Sequence, residues 1–136
     1  MVKGGIKRSR KSGLPPGSLV HIGPERTEKT RITVVDYGEG HFEEREIQSA
    51  AELAPYCGKS TVTWVDVVGI HDPRVIGEIG AQFRIHPLLM EDIMNTTQRP
   101  KIDDLGKYIC LIVKLIRCDD TAGELRIEQL SLVFND

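Results

Sequence analysis

No run of about 18 apolar residues occurs in this sequence, so no segment of it is expected to cross a bilayer as a helix. No apolar stretch follows the basic residues near the start, so no signal peptide is expected. Cysteine is scarce and odd in number: Cys57, Cys110 and Cys118 contain no C-x-x-C pair. That spacing excludes a zinc site and fits reduced thiols in a cytoplasmic protein. G-x-S-x-G, H-E-x-x-H and G-x-x-x-x-G-K-[ST] are all missing, so the chain is read as a non-enzyme. Gly77-x-x-Gly80 falls inside a predicted helix and is no phosphate loop.

What is present describes one domain of ordinary size. The 136 residues are 40% hydrophobic and 28% charged, values usual for a globular chain. Charge is unevenly placed. Lys3, Lys7, Arg8, Arg10 and Lys11 put +5 in the first eleven residues, leaving −7 for the rest of a chain whose net charge is −2. An acidic body suits a cation partner and argues against nucleic acid. The basic start, rich in glycine and serine over residues 1–12 and without aromatics, reads as a flexible tail. It could also touch phosphates or anionic lipid heads.

The pattern from residue 13 alternates strands and helices. Pro15, Pro16 and Gly17 make a rigid turn, and 18–23 reads as a short strand. Residues 31–37 and 41–47 alternate, the second being exposed with weak register. Ser49-x-x-Glu52 is a capping box for a short helix that Pro55 limits. The β-branched run at 61–68 is a strand. Asp72-Pro73 starts a helix whose apolar stripe is Val75, Ile76, Ile79 and Phe83. Gly77 and Gly80 share a face of it, which predicts close packing against something. Residues 108–113 are apolar without alternation, as in a strand buried on both faces. Asp119, Asp120 and Gly123 mark a turn, and 125–134 is a last strand with Leu130, Leu132 and Phe134 facing one way. A central two-faced strand among helices predicts a mixed sheet with helices packed on it.

The organising stretch is 83–101, FRIHPLLMEDIMNTTQRPK. His86 precedes Pro87, which favours a helix that starts at Pro87 with His86 as cap. Ile85 can staple to Met90, and Leu89, Met90, Ile93 and Met94 form the apolar stripe. Glu91 and Asp92 are adjacent and about 100° apart around the helix. Two such carboxylates do not converge on one small ion unaided, and on the residues alone they also read as a solvated helix edge. His71 and His86 lack a second ligand four residues on. Asp103, Asp104, Asp119 and Asp120 read as turn and edge acids, and Arg99 as a structural ion-pair donor.

This stretch resembles the signature of the cytoplasmic amino-terminal domain of CorA-type magnesium transporters. GLPPG at 13–17, TWVDVVGIH at 63–71, the strand at 108–115 and EQLSL at 128–132 resemble further family segments in the same order. The resemblance implies an α/β/α sandwich with a mixed parallel and antiparallel sheet over 13–136, lacking its last strand and the family's membrane region. It implies a homopentameric membrane transporter of magnesium, with cobalt or nickel as further substrates, whose cytoplasmic domain senses magnesium. Asp92 would hold regulatory magnesium at a subunit interface. Glu91 would serve a neighbouring ion with the backbone carbonyl of Leu14. Carboxylates and water suit this hard ion. Two alternatives stay open: a zinc-transporting relative, and a soluble protein-interaction module with the same fold.

Overall fold

The computed structural model describes residues 11–24, 29–119 and 123–135. The basic residues Lys3, Lys7, Arg8 and Arg10, and Asp120 of the last turn, lie outside the described residues. The chain is mixed α/β. Strands β1 (Arg31–Gly38), β2 (His41–Ile47) and β3 (Val62–Val68) form one sheet in the order β2-β1-β3. Strands β4 (Lys101–Asp104), β5 (Tyr108–Asp119) and β6 (Glu124–Asn135) form a second, in the order β4-β5-β6. Between them in sequence come helices α1 (Pro73–Gln82) and α2 (Pro87–Met94).

Both sheets are antiparallel throughout, which corrects the expected single mixed sheet. Among the described residues parallel pairing survives only as an isolated bridge between Ile22 and Asn95. The short strand expected at 18–23 is reduced to that bridge. The physical reason is a gap. The β3 and β6 edges bound a cleft of about 870 Å³, lined by Trp64 and Val65 on one side and Leu130 and Leu132 on the other. No strand among the described residues joins the two edges.

Local chemistry sets the helices. Asp72 accepts the Arg74 N–H ahead of Pro73, and His86 Nδ1 accepts the Leu88 N–H ahead of Pro87. Both prolines occupy a position that needs no N–H. Residues Ala50–Tyr56 wind more tightly than expected, as a 3-10 helix with Pro55 inside it. Its start is held by Glu52, which accepts the N–H groups of Gln48 and Ser49. Just past the end of helix α1, Arg84 takes a left-handed φ of 54°. There Ile85 N–H reaches Gly80 O and Arg84 N–H reaches Ala81 O. That paired closure turns the chain straight into α2.

Three apolar clusters follow. The 3-10 helix and α1 cover one face of the first sheet, burying Ile32, Val34, Leu53, Tyr56 and Ile79 together. Ile76, Met90 and Met94 join α1 to α2. Leu89, Cys110 and Ile112 join α2 to the second sheet. Helix α2 is therefore the wedge between the two sheets. The glycine face of α1 explains itself here. A Cβ at Gly80 would lie 2.8–3.1 Å from Met90, and one at Gly77 would lie 3.1 Å from Leu19.

Strand β5 alternates in burial, contrary to the expectation of a strand covered on both faces. Cys110 and Ile112 are buried while Ile109 is 45% exposed. Helices lie on one side only, so Ile102, Ile109 and Phe134 open to solvent on the other, as do Tyr37, Phe42 and Trp64 of the first sheet.

The segment before β1 is pinned to the end of α2. Ile22 N–H donates to Met94 O at 3.0 Å, Thr96 N–H to Ile22 O at 2.8 Å, and the Thr96 hydroxyl to the same oxygen at 2.9 Å. Gly23 makes this possible, with φ of 134° and a position where a Cβ would stand 1.8 Å from Thr96 Oγ1. Gly23→Ala is expected to lose about 2 kcal/mol or more, from a backbone conformation closed to alanine plus displacement of Thr96. Urea unfolding with an unchanged slope and a lower midpoint would register it; a shift under about 0.5 kcal/mol, the size usual for a surface change, would contradict it.

Candidate metal site on the second helix

Glu91 and Asp92 sit on α2 where its apolar stripe leaves off, and each faces different partners. Glu91 turns toward the amino-terminal turn. Its Oε2 accepts the Gly17 N–H at 2.7 Å and its Oε1 accepts the Lys11 ammonium at 3.1 Å. The same ammonium reaches the Glu91 backbone carbonyl at 3.3 Å. The Gly17 N–H, with the Lys11 side chain beside it, holds the Glu91 carboxyl below its ordinary range. Both are charge-assisted bonds to the ionised form.

Asp92 turns toward β4. Its Oδ1 accepts the Gln98 amide at 2.6 Å and its Oδ2 accepts the Lys101 ammonium at 2.7 Å. Lys101 is shared: it also lies 2.6 Å from Asp103 Oδ2. Asp103, and Asp92 after it, raise the Lys101 pKa, because both neighbours favour the cation. Side-chain exposure of 31% for Lys101 and 33% for Asp92 leaves this pair in reach of water and ions. The Cys110 thiol, buried beneath, is pushed up by desolvation.

Leu14 is 48% exposed in the turn that Glu91 grips, and its N–H donates to the Lys11 carbonyl at 3.1 Å. The fold thus brings Glu91 and the 13–17 turn together and directs Asp92 elsewhere. Among the described residues no three of His, Cys, Asp and Glu gather as a ligand set. Their chemistry fits a hard cation, since anionic oxygens at the surface are what magnesium takes. Their arrangement offers such an ion one carboxylate at a time, so each would be part of a site completed from outside this chain.

Three other candidates take part in structural contacts. His86 caps its helix. Asp104 accepts the Gly106 N–H. Asp103, read as solvated, is in the Lys101 ion pair. The cation that reaches an acid near the helix end is Lys101 and not Arg99. Lys101 and Gln98 were missed because they lie nine and six residues from Asp92, past the end of the helix, where helical spacing says nothing. The available signal was the polar run QRPK directly after a helix that must fold back. Also missed was Asp36, fully buried on β1, whose carboxylate accepts from Thr63 at 2.6 Å, Thr61 at 2.9 Å, His41 at 2.9 Å and Lys59 at 3.5 Å.

Comparison with known proteins agrees with the motifs. The chain is 39% identical over 126 residues to a Thermotoga maritima protein described as "Cobalt/magnesium transport protein CorA". The match takes in 93% of this chain and 36% of that protein, so the chain spans about a third of the length of the curated relative. No protein-family model matches. Among the described residues no helix is long and apolar enough to cross a membrane.

Proposed function

From the premise that this chain is a CorA-type domain, we propose that it is the cytoplasmic regulatory domain of a magnesium transport protein, with cobalt or nickel as further substrates. It catalyses no reaction. It acts within a homopentamer held in the cell membrane by parts of the protein outside this sequence. Asp92, with a carboxylate of the neighbouring subunit, would hold a regulatory divalent ion, and Glu91 with the Leu14 carbonyl a second. The ion supplies charge that neutralises facing acids. Without it, the facing carboxylates would repel, which would loosen the subunits and favour the open pore. Such a ligand acts only through its better binding to the closed state. The observation that carries this reading is the placement of Asp92: a carboxylate one-third exposed at the solvent face of a helix otherwise wedged between two sheets.

The same premise supports an α/β/α sandwich in the assembled protein. A further strand in the cleft between the β3 and β6 edges would join the two sheets, and helices would cover Trp64, Ile109 and Phe134. Apolar side chains of this size are rarely left open in a contiguous face.

The test is Asp92→Asn in a full-length protein carrying this domain, read as protease protection against magnesium concentration. The amide keeps the shape and removes the charge. Protection is expected to need several-fold more magnesium, while Asp104→Asn, which keeps its bond from Gly106, follows the wild type. Coincident curves for Asp92→Asn and wild type would take Asp92 out of the sensor.

A further inference from the structure

The acids proposed to face the ion already carry cations of their own chain. Lys101 contacts Asp92 at 2.7 Å and Asp103 at 2.6 Å, and Lys11 contacts Glu91 at 3.1 Å. We propose that Lys101 is a tethered counter-cation that competes with the divalent ion for Asp92, with Asp103 as the place it rests when displaced. The inference rests on Asp92 as the ion-holding carboxylate.

The argument is electrostatic. An ion bound directly to Asp92 Oδ2 would lie within about 5 Å of the ammonium as it now stands, and one held through a layer of its water within about 7 Å. Two cations that close repel, so binding requires Lys101 to leave or the ion to stay away. Departure would strand most ammonium groups. Here it does not, because Lys101 and Asp103 are two apart on β4, on one face of the strand, and are already in contact. Lys101 need only give up one of its two carboxylates. Gln98, bonded to the other Asp92 oxygen, keeps the carboxylate oriented while this happens. Lys11 stands in the same relation to Glu91, with the Gly17 N–H in the place of Gln98. The consequence is a sensor whose affinity is set low by design of its own chain: the ion must reach a concentration at which it outcompetes a lysine that cannot diffuse away.

The experiment titrates a full-length protein carrying this domain with magnesium chloride at constant ionic strength. It follows protease protection, for wild type, Lys101→Met, Lys101→Gln and Asp92→Asn. Methionine keeps the aliphatic stem and drops the charge; glutamine serves if methionine fails to fold. Lys101→Met is expected to bind about tenfold more tightly, a moderate effect for removing one partly exposed charge, and Asp92→Asn more weakly than wild type. If Asp92→Asn weakens binding but Lys101→Met and Lys101→Gln do not tighten it, the competition is wrong and Asp92 keeps its role. If Asp92→Asn leaves the titration unchanged, the role of Asp92 itself fails. Loss of magnesium-dependent protection in the Lys101 variants overturns the proposal, since removing a competitor should strengthen binding.

Discussion

Asp36→Ala is expected to lower the thermal midpoint by about 10 °C or more. Asp36 is 0% exposed in the central strand of the first sheet and accepts four bonds, from Thr63, Thr61, His41 and Lys59. Removing it leaves two hydroxyls, an imidazole and an ammonium turned toward an apolar methyl, and unpaired polar groups cost more than the bonds they formed were worth. Asp36→Asn should fall between, because one oxygen still accepts. The effect has a pH signature. The Thr63 hydroxyl above all, with Thr61, Lys59 and His41 against the opposing effect of burial, holds the Asp36 carboxyl below its ordinary value of 3.8. A carboxyl lowered by folding stabilises fully above its unfolded value and loses that contribution as pH falls through the folded one. The gap between wild type and Asp36→Ala should therefore be constant at neutral pH and narrow below about pH 4. Melts followed by circular dichroism across pH would show it. A midpoint change of only a few degrees at pH 7 would mean that the threonines and His41 find other partners without strain.

Met94→Ala is expected to cost about 2–5 kcal/mol, as deletion of a fully buried large side chain does when its surroundings cannot collapse. Met94 is 0% exposed and packs with Ile76 and Met90, against Leu19, Val67, Ile70 and Ile85. These neighbours come from α1, α2, β3, the segment before β1 and the connections on either side of α1, and the strand and both helices are held by hydrogen bonds elsewhere. The void is therefore shared between elements that cannot all move in. The Met94 carbonyl also accepts the Ile22 N–H, so loosening here should propagate to the 13–17 turn and the Gly17 bond to Glu91. Met94→Leu, close in volume, should cost less than about 1.5 kcal/mol. Urea unfolding separates the two, and equal midpoints for alanine and leucine would refute the packing argument.

Helix α2 was legible almost to the residue. Proline at the first position, histidine before it and the stripe of Leu89, Met90, Ile93 and Met94 are all local features, and local features act wherever the chain is put. The face shared by Gly77 and Gly80 was legible for the same reason, though which side chain fills it was not. Strands β1 to β3 followed from alternation and β-branching. Strand β5 misled because an apolar run without alternation records what a strand is built to bury, while exposure depends on what lies across from it.

The sequence by itself determined where α2 starts and stops, which faces are apolar, and the kinship of the chain, since each is carried by residues within a few positions of one another. Tertiary structure alone decided that the strands form two antiparallel sheets, that Asp36 is buried where two hydroxyls, an imidazole and an ammonium meet, and that Asp92 meets Lys101 and Glu91 meets Lys11. Those pairings cross 9 and 80 positions. A charge carries no sign of its partner in its neighbours; only the path of the backbone, set by the packing of α2 between the sheets, brings the two within reach.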